Sequence, residues 1–204
     1  MQRSERANFL IEFSTAERIN PASLKSLWHD SFSEDYQSIN LFFNSMYLLE
    51  NTLIAFNGDT LVFALYLLPG KISTGNGQYS SIYYIFAAAT NPYFRRRGIM
   101  RELLAYAAES AHNRGKSALC LLPGEESLYK YYERCGFRKY FTARKVILSY
   151  KEPIQYNIEY GVTAEKLFSF REKILKDSPG NILFPSEHMT FALKYQDWLK
   201  DVFR

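Results

Sequence analysis

The 204-residue sequence predicts an α/β fold, a mixed sheet covered by helices, and three observations carry that expectation. Asn57-Gly58-Asp59 sits between two apolar runs and marks an antiparallel hairpin, because Asn-Gly accepts the positive φ angles of a tight turn. Met100, Leu103, Leu104, Ala107, Ala108 and Ala111 recur at i, i+3, i+4, i+7, i+8 and i+11, one face of a helix. A short apolar run and a further helical pattern follow that helix, so a strand meander passes into a β-α-β-α order.

Taken in order, Asn20-Pro21-Ala22-Ser23-Leu24 opens a helix that continues through Trp28 towards Phe32, with proline near the first helical position. A second helix is predicted over Asp35 to Met46, with Ile39, Phe42 and Phe43 on one side. The hairpin strands are Leu53–Phe56 and Leu61–Tyr66, and Pro69-Gly70 reads as an interruption of the second. Gly75-Asn76-Gly77 marks another turn, followed by a strand from about Tyr79 to Thr90. The helix opened near Gly98 stops at Gly115. Ala118–Leu122 is a short strand leading into Pro123-Gly124, and the next helix carries Leu128, Tyr131, Tyr132 and Cys135 on one face and stops at Gly136.

Two more strands are expected at Phe137–Phe141 and Ala143–Tyr150. The texture changes from Pro153 onward, which divides the chain into a domain over 1–150 and a mostly helical extension over 151–204. That extension is predicted to hold helices from Thr163 to about Lys176 and from Ser186 to Phe203, separated by Ser178-Pro179-Gly180-Asn181. Its apolar stripe, Trp198, Leu199, Val202 and Phe203, needs a surface to pack on: the sheet, a partner subunit, or further chain of a longer protein.

Composition narrows the function. Hydrophobic residues make up 47% and charged residues 23%, as in globular domains, with 16 Tyr and 16 Phe available for cores and clefts. A net charge of +4 suits an anionic ligand and falls short of a nucleic-acid-binding balance. No apolar run approaches the ~20 residues that span a bilayer, and Met1–Arg6 has no signal core behind it, so a cytoplasmic address and no membrane partner are expected. Cys120 and Cys135 make no disulfide framework. His29, His112 and His188 are widely spaced, with no metal-ligand pattern, so no metal is expected.

The most informative stretch is Ala88-Ala89-Thr90-Asn91-Pro92-Tyr93-Phe94-Arg95-Arg96-Arg97-Gly98-Ile99-Met100: a strand, a proline-marked turn, an arginine cluster and a glycine opening a helix. The first N–H groups of a helix lack internal partners and its dipole is positive there, while arginines add forked donors matched to phosphate oxygens. Such a turn is built to hold an anion, and the competing reading is a solvated basic turn. G-x-x-x-x-G-K-[ST] and G-x-G-x-x-G are both missing, which disfavours nucleoside triphosphates and dinucleotides.

These residues carry a family resemblance. Arg95-Arg96-Arg97-Gly98-Ile99-Met100 resembles the acetyl-CoA signature of GNAT N-acetyltransferases, R/Q-x-x-G-x-G/A, departing from it at Met100. Tyr83–Thr90 is similar to the family's fourth strand, and Tyr132-Glu133-Arg134-Cys135-Gly136-Phe137 to its Y-x-x-x-G-F segment. Trp28–Asp35 resembles the N-terminal helices of the Eis-like branch. The resemblance covers roughly Leu53 to Tyr150 and implies a GNAT fold, acetyl-CoA as cosubstrate and a small-molecule or peptide amine as acceptor.

It implies further that the strand end Ala88-Ala89-Thr90 holds the pantetheine arm through backbone groups, and that Arg95, Arg96, Arg97, Gly98, Ile99 and Met100 take the pyrophosphate. Tyr132 is then the acid that protonates the departing thiolate, with Tyr129 and Tyr131 as alternatives and a core tyrosine as the competing reading. Glu34, Asp35, Glu50, Glu125, Glu126 or a water chain are open as the base. Two rival functions stay on the page: a non-catalytic acyl-CoA-binding or sensing module, and an aminoacyl- or fatty-acyl-transfer relative. A homo-oligomer is also open.

Overall fold

In the computed structural model, which describes residues 10–140 and 161–202, the secondary structure alternates much as the periodicity predicts. Strand β1 (Ile11–Thr15) precedes helices α1 (Pro21–Phe32) and α2 (Tyr36–Ser45). Then come β2 (Thr52–Asn57), β3 (Thr60–Gly75), β4 (Gln78–Thr90), α3 (Ile99–Asn113), β5 (Ala118–Cys120) and α4 (Glu126–Arg134). The C-terminal part holds α5 (Ala164–Leu175), β6 (Ile182–Leu183) and α6 (Ser186–Val202). The expected strand Ala143–Tyr150 lies outside the described residues.

Local chemistry accounts for the boundaries. The Asn20 side chain accepts from the Ala22 N–H and Pro21 occupies the first position of α1; Asp35 caps α2 by accepting from the Gln37 N–H at 2.6 Å. Gly58 turns the β2–β3 hairpin at φ +57°. The sheet runs β1-β2-β3-β4-β5, antiparallel except for the parallel β4–β5 pair, and β6 joins β3 at Lys71 and Ile72.

Three expectations are corrected. Pro69-Gly70 does not interrupt β3, which continues to Gly75. On the side away from β4, β2 ends its pairing at Tyr66 and β6 begins at Lys71, so Pro69 falls in a stretch with no strand beside it among the described residues, where a missing N–H breaks no ladder. Ala108 is exposed, and Ile99 takes a place on the buried face of α3 with Leu103, Leu104, Ala107 and Ala111. Residues 137–140 form no strand: Gly136 at φ +95° and the Phe137 N–H bonding the Tyr132 carbonyl at 3.0 Å spend this stretch on closing α4.

Alternation along the strands supplies two cores. Leu65, Leu67, Tyr83 and Ile85 face α3, while Tyr66 and Leu68 face α1 and α2, where Trp28, Ile39 and Phe42 meet them. Trp28 lies 4.9 Å from Phe42 and 5.2 Å from Tyr66, and its Nε1 donates to Glu34 Oε2 at 2.7 Å. Of the α6 stripe, Trp198 finds its surface on α2, its Nε1 donating to Gln37 Oε1 at 3.1 Å, and Phe191 earlier in the helix meets Phe42 edge-on at 6.1 Å.

Leu103 is fully buried between α3 and the sheet. Urea unfolding of Leu103→Ala is expected to show a loss of about 2–5 kcal/mol, against less than about 0.5 kcal/mol for Ala108→Ser.

Candidate functional site

The site begins where β4 and β5 part. β5 pairs with β4 only at Ile82–Tyr84 opposite Ala118–Cys120. Just beyond, Tyr66 of β3 faces Phe86 while Ala64 faces Ala89, so Ala87 and Ala88 together oppose Leu65. This is a β-bulge, with Ala87 at φ +45°, and bulges bend and twist the strand that carries them. Past Tyr84 the β5 side of β4 has no strand partner among the described residues, so its edge N–H and C=O groups open onto a cleft lined by Tyr84, Phe86, Ala88, Leu121 and Tyr132.

The Arg95–Met100 turn closes one end of that cleft. Asn91 caps the 3-10 turn Pro92–Phe94, accepting from the Tyr93 N–H at 3.1 Å. The backbone then turns left-handed at Arg96 (φ +62°) and at Gly98 (φ +84°), which caps α3. The Arg101 N–H bonds the Gly98 carbonyl at 2.9 Å, leaving the N–H groups of Gly98, Ile99 and Met100 without an acceptor among the described residues. A Cβ on Gly98 would meet nothing within 4 Å, so the space before these donors is open. Positive dipole, unpaired donors and free approach coincide at one point.

The three arginines do different things. Arg95 fastens the turn, its Nε donating to the Thr90 carbonyl at 3.3 Å and its Nη2 to the Ser31 carbonyl at 3.5 Å. The Arg97 guanidinium lies 5.1 Å from the Phe94 ring centre. Arg96 is exposed at the bend. Ile99 is buried and Met100 half-buried against the α3 core. Ala89 faces away from the cleft, packed with Leu24, Leu27, Ile54 and Ala64, and the Thr90 carbonyl is already engaged by Arg95 and by Ser31 Oγ at 3.3 Å.

Tyr132 stands at the other end, buried on α4 with Phe137 edge-on at 5.8 Å. Burial, then the neighbouring Cys135 and Tyr84, push its phenol pKa up, so it keeps its proton throughout the neutral range. Tyr131 lines the same cleft and is also pushed up, first by burial and then by its contact with Cys135. Tyr129 lines a neighbouring cavity, with the Lys139 ammonium 4.9 Å from its ring centre.

Of the acids open as a base, Glu34 is committed to Trp28 Nε1 and to Ser38 Oγ at 2.7 Å, and Asp35 caps α2. Glu125 accepts from Ser127 Oγ, and Glu50 and Glu126 are exposed. Cys120 is half-buried, and burial lifts its thiol to about 11, so it carries no thiolate at neutral pH. His29 Nδ1 pairs with the Glu34 carbonyl at 2.7 Å and His112 is exposed.

Sequence reasoning gave His188 no role, and the structure places it in the wall of an apolar cavity that adjoins the cleft. It is buried, edge-on to Phe184 at 4.8 Å, and its Nδ1 has no partner among the described residues. Desolvation pushes its pKa down to about 4. No sequence signal could have found it, because its direction depends on β6 pairing with β3. Among the described residues no group of three or more His, Cys, Asp or Glu could hold a metal ion, and no helix is long and apolar enough to cross a membrane.

Residues 20–140 match the family model described as an acetyltransferase (GNAT) domain. No curated protein matches the chain. Among solved structures, Eis1 from Mycobacterium abscessus is similar with a TM-score of 0.63 and 13% identity, over 91% of this chain and 48% of that one. A GCN5-related N-acetyltransferase from Anabaena variabilis is similar with a TM-score of 0.53 and 19% identity, over 59% of this chain and 31% of that one. A transcriptional regulator from Bacillus halodurans gives 0.52 and 20%, over 68% and 99%. At these identities the likeness is one of fold, and the chain spans about half the length of Eis1 and about a third of the Anabaena protein.

The buried imidazole has a pH signature. An unfolded chain, with its imidazole near 6.5, binds a proton that the folded one refuses down to about 4. Stability is therefore expected to fall as pH drops through that window, and NMR should show His188 neutral at pH 5.5. A titration midpoint at 6.5 would show a solvated ring.

Proposed function

The chain belongs to the GNAT acetyltransferase family, and from that premise we propose that it transfers an acetyl group from acetyl-CoA directly to an amine. One observation carries the reading: a continuous cleft joins the unpaired N–H groups at the start of α3, the open edge of β4 and the buried phenol of Tyr132.

In this reading the N–H groups of Gly98, Ile99 and Met100 hold the diphosphate, with Arg96 and Arg97 adding positive charge. The edge of β4 around the bulge pairs with the pantetheine arm as a strand would. Acetyl-CoA supplies the thioester. A β4 backbone N–H donates to the oxyanion that forms as the amine nitrogen attacks the carbonyl carbon. When the C–S bond breaks, the sulfur keeps the electron pair and Tyr132 gives it a proton, while the amine's surplus proton leaves to water. Ordering amine and thioester in one cleft accounts for much of the rate, on the order of 7 kcal/mol or more in favourable cases. The two cysteines, both free thiols, suit a reducing cytoplasm.

Replacing Gly98 by Leu puts a side chain before the anion donors and strains a left-handed position. The expected result is a stability loss of about 1–2 kcal/mol and CoA binding weaker by about tenfold or more in calorimetry, the worth of one lost bond to a charged group. Unaltered affinity would remove the turn from the site. Tyr132→Phe is expected to lower thiol release by about 10²-fold with CoA affinity unchanged; a preserved rate would move the acid to Tyr131. Tight CoA binding with no thiol released to any amine would point to a sensing module instead.

A further inference from the structure

The cleft does not end at Tyr132. Tyr84, Phe86, Leu121 and Tyr132 line both the cleft and the cavity beside it, so a group held at the proposed thioester position looks into that cavity. Its inner wall is made by Leu68, Tyr84, Phe86, Phe184, Met189 and Phe191. Period-2 alternation puts the first three on one face of the sheet, Leu68 directly opposite Tyr84, and the β6–α6 segment closes over them, with Phe184 edge-on to Tyr84 at 5.6 Å.

Charge is distributed unevenly around this space. Glu34 lies near that face but is committed to Trp28 and Ser38. The acidic side chains among the described lining residues, Glu126 and Glu133, are exposed on α4, and Arg138 and Lys139 line the same rim. The inner wall offers His188, neutral because burial holds its pKa near 4, and the Tyr84 hydroxyl, engaged with the Leu122 backbone. A second positive charge on a substrate would be buried against that inner wall without a carboxylate among the described residues to meet it, which is costly. An aromatic ring would gain edge and face contacts with Phe86, Phe184 and Phe191.

We propose that the acceptor is a monoamine carried on an apolar, ring-sized body, such as an arylalkylamine, and that the β6–α6 segment forms the wall that selects it. The proposal rests on the acetyl-transfer reading of the adjoining cleft. The apolar wall serves the chemistry as well, since the attacking nitrogen must be neutral and a dry wall favours the neutral amine.

The test is calorimetric titration of the full chain, saturated with CoA, with 2-phenylethylamine, tryptamine, spermidine and a lysine-containing peptide. The arylalkylamines are expected to bind at least about tenfold tighter than the two polar amines, because desolvating a second charge goes uncompensated. Ala192, exposed on α6 at the cavity wall, provides the second arm. Ala192→Glu adds a carboxylate without removing core, and should narrow or reverse that preference. Spermidine or peptide binding as tightly as tryptamine would overturn the proposal, as would octanoyl-CoA binding tenfold tighter than acetyl-CoA, which would assign the cavity to an acyl chain. Thiol release, assayed separately, keeps the outcomes apart. Amine preference without thiol release overturns acetyl transfer and leaves the site, whereas thiol release with polar amines does the reverse.

Discussion

Everything at the proposed transfer site depends on β4 leaving β5 after three paired residues, Ile82 to Tyr84. A parallel pair that stayed closed would bury the edge groups of β4 in a ladder and leave no cleft. The bulge at Ala87-Ala88 bends the strand there, and it costs something, since a residue with a Cβ at positive φ is strained by about 1–2 kcal/mol. Alanine is the smallest L residue that can stand at φ +45°, and it is what stands there. The strain is held in place by packing on both faces of the strand just beside it, where Ile85 and Ala88 meet the α3 core and Ala89 meets Leu24 and Leu27 of α1.

The turn proposed to hold the diphosphate inherits its position from the same packing. Arg95, which in isolation reads as one more ligand for phosphate, spends its guanidinium on the Thr90 and Ser31 carbonyls and so ties the turn to the end of β4 and to α1. Ser31 Oγ donates to the same Thr90 carbonyl, and α1 is in turn fixed by Trp28 inside its aromatic cluster. The Gly98–Met100 donors are thus aimed by a chain of contacts that runs back to the face of the sheet opposite α3. This explains why a helix and a basic triplet alone do not make a site; the donors need a rigid frame.

Much of this was legible in the sequence where periodicity or turn chemistry carries information. The Asn57-Gly58 hairpin, the Asn20-Pro21 and Asp35 caps, the α3 stripe and the stops at Gly115 and Gly136 all have local physical causes. What escaped has non-local causes. Pro69-Gly70 reads as a break because proline breaks ladders, and only the gap between β2 and β6 shows that none is broken. The bulge lies inside Ala87-Ala88-Ala89, a run with no turn residue to announce it. The two-residue strand β6 is too short to show a period, yet its pairing with Lys71 and Ile72 decides which way Phe184 and His188 face.

That dependence divides the molecule by task. Segments between Tyr84 and Tyr132, with Ser31 and Phe32 of α1, build the cleft proposed for the acyl donor, whereas the cavity beyond it adds β3 and the C-terminal β6–α6 segment, anchored on α2 through Phe42 and Gln37. A change on α6 acts on the cavity wall formed by His188, Met189, Phe191 and Ala192, whereas the Arg95–Met100 turn is tied instead to the end of β4 and to α1. The cleft and the cavity share Tyr84, Phe86, Leu121, Leu122 and Tyr132, and α3, β5 and α4 contribute to the cavity as well, so the C-terminal segment is the part of its wall that the cleft does not use. Among the described residues the inner wall carries aromatic rings and a desolvated, neutral imidazole, with Glu126 and Glu133 out on the rim, so on the proposed reading what selects an amine is the cost of dehydrating it.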